Sequence, residues 1–156
     1  KSVLLCLSKD IYMTITNAFN HYLANLAVMN FKLHNLHWNV EGLQFASVHS
    51  FTEDAYNTLF KYFDDVAEIQ KMYDTVPDST LADYLKNATI KEEPAKKFTP
   101  TEVFEILKAD YTALRDEAAD LRRACNEKDW FSSVALLEDQ IAYYNKQLWF
   151  IKAILG

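Results

Sequence analysis

The stretch from Thr14 to Trp38, TITNAFNHYLANLAVMNFKLHNLHW, decides the fold of this chain. Its apolar residues recur in alternating steps of four and three, a spacing that lines one face of a helix. We therefore predict a first helix over about residues 8–38. The stripe along this helix consists of Ile15, Phe19, Tyr22, Leu26, Met29, Leu33 and Leu36.

The same periodicity continues after the Asn39–Leu43 turn and predicts three more long helices. Their stripes consist of Phe45, Val48, Thr52, Ala55, Leu59, Phe63, Val66 and Gln70; of Phe104, Leu107, Tyr111, Leu114, Ala118, Leu121 and Cys125; and of Val134, Leu137, Ile141, Tyr144, Leu148, Ile151 and Leu155. A short helix is expected in the connection between the second and third, because STLADYLKNA has two or three turns of helical spacing. The third helix begins with a capping box, in which Thr99 precedes Pro100 and Glu102. Asp129 is expected to cap the fourth. The predicted ranges are about 44–74, 79–88, 100–126 and 130–155.

This order of elements predicts an all-α chain. Only two glycines and three prolines occur, so tight hairpin turns are scarce. Four long helices with a long crossover between the second and third have the connectivity of a ferritin-like four-helix bundle. We expect residues 1–156 to form one such domain.

Net charge, cysteine content and the length of apolar runs limit the partners and the compartment that this chain is expected to have. The formal charge of −6 disfavours non-specific attraction to nucleic acid and favours cations. Cys6 and Cys125 are isolated, which fits a reducing cytoplasm, and no apolar run approaches the ~20 residues of a membrane span. We therefore expect a cytoplasmic protein without membrane contact.

All four histidines fall in the first two predicted helices. His37 lies closest to the apolar stripe, whereas His34 lies at its boundary and His21 on the opposite side. Taken alone, a histidine on an apolar face is more often a hydrogen-bonded core residue than a metal ligand.

The second helix favours the metal alternative. His49 and Glu53 are four residues apart, as are Asp64 and Glu68, whereas Asp54 and Asp65 are expected to point towards solvent. About 22 Å of helix separates His49 from Asp64, so one chain cannot bring both pairs to one metal ion. Two antiparallel copies of the helix could, about a two-fold axis near residues 58 and 59.

In such a pair, one chain supplies His37, His49 and Glu53, and its mate supplies Asp64 and Glu68. His37 fits because it lies about as far before the turn as His49 lies after it. Mixed nitrogen and oxygen ligands suit Fe(II), Mn(II) or Zn(II), and carboxylates favour Fe(III) once it forms.

Three segments, HNLHWNVEG (34–42), VHSFTEDAY (48–56) and FDDVAEI (63–69), resemble the ferroxidase signature of the Dps family, the bacterial mini-ferritins. The resemblance extends over nearly the whole chain. The residues that match the family's metal ligands are His37, His49, Glu53, Asp64 and Glu68. Glu53 is a departure, since the family more commonly has aspartate there.

The resemblance implies a dodecameric shell with ferroxidase sites at its two-fold interfaces. Two Fe(II) ions would bind at each site, be oxidised to Fe(III) preferentially by hydrogen peroxide, and enter the cavity as ferric oxyhydroxide. Trp38 matches a tryptophan that could absorb a stray oxidising equivalent. Glu127 and Asp129 are weak candidates for an iron entry pore.

Two alternatives remain open. The first is a nucleoid-compacting shell whose main work is binding DNA, although Lys1 and Lys9 are the only basic residues near the start of the sequence given and no basic residue follows Lys152. The second is a bundle that holds zinc or manganese at the same site without turnover.

Overall fold

A computed structural model describes the backbone of residues 2–156 and the side chains of residues 15–156. Residues 2–156 contain five helices and no strand, which confirms the predicted all-α, ferritin-like bundle. None of these helices is both long and apolar enough to cross a bilayer. The helices are α1 (Ser2–Asn39), α2 (Phe45–Met72), α3 (Leu81–Asn87), α4 (Pro100–Asn126) and α5 (Phe131–Leu155).

Helix α1 begins six residues before the predicted start at residue 8, because no glycine or proline interrupts the chain before Gly42. Helix α2 ends at Met72 because Asp74 turns into the left-handed region, with φ of 58°. The predicted cap at Asp129 is wrong. Asp129 itself has φ of 57°, and Trp130 occupies the N-cap without a side-chain hydrogen bond.

The predicted stripes form the core of the bundle. Every stripe residue of α1 from Ile15 to Leu36 is buried, and so is every stripe residue of α4 from Phe104 to Cys125. On α2, Phe45 is 42% exposed, because it lies at the first position of the helix, and Phe63 is half-buried. The stripe of α5 includes three half-buried residues, Ile141, Leu148 and Leu155. Burial of this continuous apolar surface is the main force that holds the four long helices together.

The crossover between α2 and α4 is tied to α1 by Asn25. The side-chain oxygen of Asn25 accepts hydrogen bonds from the backbone N–H groups of Thr89 (2.9 Å) and Ile90 (3.0 Å). Its amide nitrogen donates to Glu117 on α4 at 2.7 Å, and the second carboxylate oxygen of Glu117 pairs with His21. One buried side chain therefore joins α1, the crossover and α4.

The turn between α1 and α2 is also held by the crossover. Glu41 donates its N–H to the carbonyl of Phe98 at 2.9 Å, and Phe98 donates to the carbonyl of Asn39 at 3.0 Å. Gly42 has φ of 126°, a conformation that side chains rarely adopt. The predicted capping box follows directly, with Thr99 and Glu102 bonding to each other's backbone.

Candidate metal centre

The centre is built on two imidazoles from neighbouring antiparallel helices. The rings of His37 on α1 and His49 on α2 are stacked, with centroids 3.6 Å apart and planes 19° apart. His37 Nδ1 lies 2.9 Å from the carbonyl oxygen of His49, and His49 Nδ1 lies 3.0 Å from the carbonyl oxygen of His37. The spacing of five and seven residues around Gly42 therefore brings these two histidines together.

These reciprocal contacts fix which nitrogen carries the proton. A carbonyl oxygen can only accept a hydrogen bond, so Nδ1 of each ring must be the donor. The proton of a neutral imidazole is then on Nδ1, and the lone pair of Nε2 remains free. Both rings are thus prepared to bind a cation through Nε2, with a backbone carbonyl as the orienting partner.

The surroundings of His37 also keep its ring neutral. His37 is 6% exposed, and this burial is the largest influence on its pKa, which lies below the ordinary histidine value. The hydrogen bond to the His49 carbonyl and the charge of Glu53 act in the opposite direction. The nearby imidazoles of His49 and His34 act in the same direction as burial, so the net shift of the His37 pKa is downward and the unprotonated state that a metal requires is favoured.

Two residues of this centre were not predicted from the sequence. Thr52 is fully buried, and its hydroxyl oxygen lies 3.0 Å from His37 Nδ1. Tyr56 presents its ring edge to His37, with centroids 5.2 Å apart. Both lie on the same flank of α2 as His49, at steps of three and seven residues, and this helical spacing was the signal available in the sequence.

A second aromatic layer surrounds the pair. His34 stacks on Tyr56 with centroids 3.9 Å apart, and its Nδ1 donates to the Asn30 carbonyl at 2.7 Å. Trp38, which is 69% exposed, tilts over His34 at 5.4 Å. His34 is half-buried, in agreement with its predicted place at the edge of the apolar stripe.

The predicted carboxylate ligands all lie on α2, and all are exposed. Glu53 is close enough to His37 to influence its pKa, whereas Asp64 and Glu68 lie three to five turns further along the helix. Within residues 15–156, no three His, Cys, Asp or Glu side chains form a group that could hold a metal ion. The structure brings His37 and His49 together but leaves Asp64 and Glu68 apart from them.

The acidic end of α2 differs from the prediction in one respect. Asp65 was expected to point towards solvent, yet its side chain is only 22% exposed and lies 2.6 Å from Lys61 Nζ. This pairing with the residue one turn earlier draws Asp65 against the helix. The hydrogen bond to Asp65 is the main cause that raises the pKa of Lys61, and Asp64 and Glu68 add to it.

An apolar groove adjoins the centre between α1, α2 and α3. Its floor includes Tyr84, and its rim includes Phe31, Phe60 and Leu81, each more than 60% exposed. At one end the groove is continuous with a pocket lined by His34, Tyr56 and Phe60 and by the amides of two asparagines. A contiguous exposed patch of this kind is typical of a protein interface.

Comparisons with known proteins agree with this fold. Residues 16–156 match the model of the ferritin-like domain. The DNA protection during starvation protein of Helicobacter pylori is 33% identical over 136 residues, which cover 87% of this chain and 94% of that protein. The chain is thus a ferritin-like protein.

Two solved structures narrow the family. Dps from Listeria innocua soaked with zinc has a TM-score of 0.87 at 30% identity, and covers 91% of this chain and 96% of its own. A Vibrio cholerae Dps, described as a member of a broad superfamily of ferritin-like diiron-carboxylate proteins, has a TM-score of 0.89 at 26% identity over 94% of this chain and 92% of its own. This chain belongs to the Dps family.

Proposed function

We propose that this protein is a cytoplasmic ferroxidase and iron-storage mini-ferritin whose sites are completed by a second copy of the chain. The observation that carries the proposal is the reciprocal His37–His49 pair, which leaves two Nε2 lone pairs free beside Glu53. The description of the Vibrio cholerae relative as a diiron-carboxylate protein supports iron as the metal. Imidazole and carboxylate ligands together suit Fe(II) and then Fe(III).

The second copy is needed because the remaining carboxylates are too far away. Asp64 and Glu68 lie fifteen and nineteen residues after His49 on the same helix, or about 22 and 28 Å. An antiparallel α2 from another subunit would place its Asp64 and Glu68 opposite His49 and Glu53. The exposed apolar groove beside the centre supports burial of this face against a second copy.

The proposed reaction takes two Fe(II) ions and one molecule of hydrogen peroxide as substrates. Each Fe(II) gives up one electron, the O–O bond breaks, and both oxygen atoms leave as water or as oxide in ferric oxyhydroxide. Because two electrons arrive together, peroxide is reduced without release of a hydroxyl radical. The ferric product is stored inside a dodecameric shell, and this consumption of iron and peroxide protects the cell against oxidative stress.

A mixing experiment tests the shared site. One variant, His37→Ala/His49→Ala, lacks the imidazole half, and the other, Asp64→Ala/Glu68→Ala, lacks the opposite half. Each alone should oxidise Fe(II) at the background rate. In a dimer of the two, one site loses both halves and the other is intact, so co-refolded mixtures should regain up to about a quarter of the parental rate.

The matched control combines all four substitutions in one chain and mixes it with the parent. Each site of such a mixed dimer keeps only one half of its ligands, so co-refolding should lower the Fe(II) oxidation rate of the mixture below that of the same two proteins left unmixed. If the two half-site variants stay inactive after mixing, although native mass spectrometry shows mixed dimers, the shared site is wrong. If parental protein does not oxidise Fe(II) but binds zinc or manganese stably, the non-turnover alternative is correct.

The name of the Helicobacter pylori relative favours one further candidate, DNA protection by direct binding. The chain's three arginines, Arg115, Arg122 and Arg123, are each paired with a carboxylate. We therefore expect little binding by this chain in a gel shift at moderate salt. Retardation that weakens steeply as salt rises would support the DNA-binding candidate instead.

A further inference from the structure

Thr52 contacts the imidazole pair through its hydroxyl group. It interrupts the apolar stripe of α2 and is 0% exposed. Its oxygen lies 2.8 Å from the carbonyl oxygen of Val48 and 3.0 Å from that of His49, so its single proton is donated to the backbone. The lone pairs of the same oxygen face His37 Nδ1 at 3.0 Å.

The direction of each bond follows from these contacts. Since the hydroxyl proton goes to a carbonyl of its own helix, Thr52 can only accept from His37. The Nδ1 proton of His37 is therefore shared between the Thr52 hydroxyl and the His49 carbonyl at 2.9 Å. Two acceptors on α2 thus hold one proton of a ring that belongs to α1.

We propose that Thr52 is a positioning residue for His37, because its hydroxyl oxygen accepts the Nδ1 proton beside the His49 carbonyl and so holds the ring in the orientation that leaves Nε2 free for Fe(II). This inference rests on the proposed function and names a group that acts through a metal ligand. Outer groups that orient a ligating histidine commonly change metal affinity 10- to 100-fold when removed.

A purely structural role is the simpler alternative. Threonines inside helices often donate to the carbonyl four residues earlier, as Thr58 does to Asp54 and Thr112 does to Lys108. Such a bond needs no imidazole. Thr52 differs in that its acceptor side is buried against a ring nitrogen, where the loss of one partner cannot be replaced by bulk water.

His49 provides an internal reference. Its ring donates to the His37 carbonyl at 3.0 Å, and no ring nitrogen of His49 lies on the Thr52 hydroxyl. Removal of the hydroxyl should therefore leave the Nδ1 proton of His37 with the His49 carbonyl as its one acceptor, so that the ring is held less firmly, and should leave His49 unaltered. A ring that no longer keeps one orientation places Nε2 less well, so Fe(II) binding should weaken.

The experiment uses the assembled protein with 15N-labelled histidine and no metal, studied by magic-angle-spinning NMR at mildly alkaline pH. Only four histidines contribute signals, and single replacements assign them. We expect His37 to be protonated on Nδ1 alone in the parent and in Thr52→Ser. In Thr52→Val and Thr52→Ala, the Nδ1 signal of His37 should shift and broaden, because one of its two acceptors is gone, and that of His49 should not change.

Fe(II) titration of the same proteins supplies the second measurement. Thr52→Val and Thr52→Ala should bind on the order of 10-fold more weakly, whereas Thr52→Ser and the control Thr112→Val should stay close to the parent. The use of both Val and Ala separates loss of the hydroxyl from poor packing by either side chain.

Two results would overturn the assignment: an unchanged His37 Nδ1 signal and an unchanged Fe(II) affinity in both hydroxyl-free variants, or a Thr52→Ser variant as impaired as they are. A parent that takes up no Fe(II) would contradict the proposed function alone, because the NMR comparison of metal-free protein still decides the role of Thr52.

Discussion

Lys32 on α1 and Asp110 on α4 form a buried ion pair, with 2.6 Å between Lys32 Nζ and a carboxylate oxygen of Asp110. The two side chains are 5% and 12% exposed, and Glu93 from the crossover lies 3.9 Å from the same ammonium group. Each of these two buried charges needs the other, because a single charge that is removed from water without an opposite partner strongly destabilises the fold.

Replacement of Lys32 by methionine should destabilise the bundle strongly. The substitution keeps most of the apolar stem but leaves Asp110 without its partner, which in buried pairs typically costs about 3–5 kcal/mol. Urea unfolding followed by circular dichroism measures the difference. The double variant Lys32→Met/Asp110→Leu should recover much of the loss. If the double variant is as unstable as the single one, the pair is not the source of the effect.

The instability of Lys32→Met should also depend on pH. Burial is the main cause that raises the pKa of Asp110, and Lys32 opposes it, so removal of Lys32 should raise the pKa further. A carboxyl group with a raised pKa in the folded state costs stability while ionised, and the cost disappears as pH falls through that pKa.

The free energy of unfolding of Lys32→Met should therefore approach that of the parent as the solution is acidified from neutral pH. Lys32→Met/Asp110→Asn, which cannot ionise at this position, serves as the control and should show no such recovery on acidification. A deficit in Lys32→Met that grows on acidification would contradict this account.

Gly42→Ala should weaken both the fold and the metal centre. The backbone at Gly42 has φ of 126°, and an added Cβ would lie 3.4 Å from Pro100 Cδ. Forcing a side chain into this region costs about 1–3 kcal/mol. Thermal unfolding should show the loss of stability. The Fe(II) affinity should also fall, because the turn determines that His37 and His49 lie at the same level on the two antiparallel helices. Gly156→Ala is the comparison variant, since Gly156 also has a positive φ, of 88°, but its added Cβ meets no atom within 4 Å.

Phe60→Glu should prevent the pairing of subunits. Phe60 is 62% exposed on α2 and borders the groove that it shares with Phe31 and Leu81. A carboxylate buried at that position would remain unpaired, so light scattering should show smaller particles at concentrations where the parent is assembled. Fe(II) oxidation should fall in parallel.

Ala113→Glu, on an exposed part of α4 that contributes nothing to the groove, is the control for Phe60→Glu. It should leave particle size and oxidation unchanged. An active, fully assembled Phe60→Glu protein would show that this face is not the one that completes the site.

The helical bundle could be predicted from the sequence because the apolar stripes are regular and because a capping box involves only residues that are three apart in the chain. The steps of four and three from Ile15 to Leu36 predicted burial correctly, and the capping box at Thr99 formed as expected. The approach of His37 to His49 followed from counting residues on both sides of the turn. Their role as metal ligands, with Glu53, Asp64 and Glu68, stays a prediction.

Other features depend on side-chain contacts and backbone conformations that the spacing of apolar residues does not reveal. A helical stripe indicated that Thr52 is buried but not that its oxygen meets a ring from another helix. The direction of Asp65 depended on its pairing with Lys61 rather than on an ideal helical angle. The cap at Asp129 failed because the residue adopts the left-handed conformation, which aspartate tolerates more readily than most residues.

The two hydrogen bonds between the imidazoles of His37 and His49 and each other's backbone carbonyls form only when α1 and α2 are aligned in one register. A slip of one residue between the helices rotates each ring about 100° away from its partner carbonyl, while the backbone hydrogen bonds within both helices survive. A misaligned hairpin would thus keep its helical content and lose its competence for metal. Metal binding by the His37–His49 pair therefore reports whether α1 and α2 are packed in the correct register, because only a correctly aligned subunit forms both hydrogen bonds.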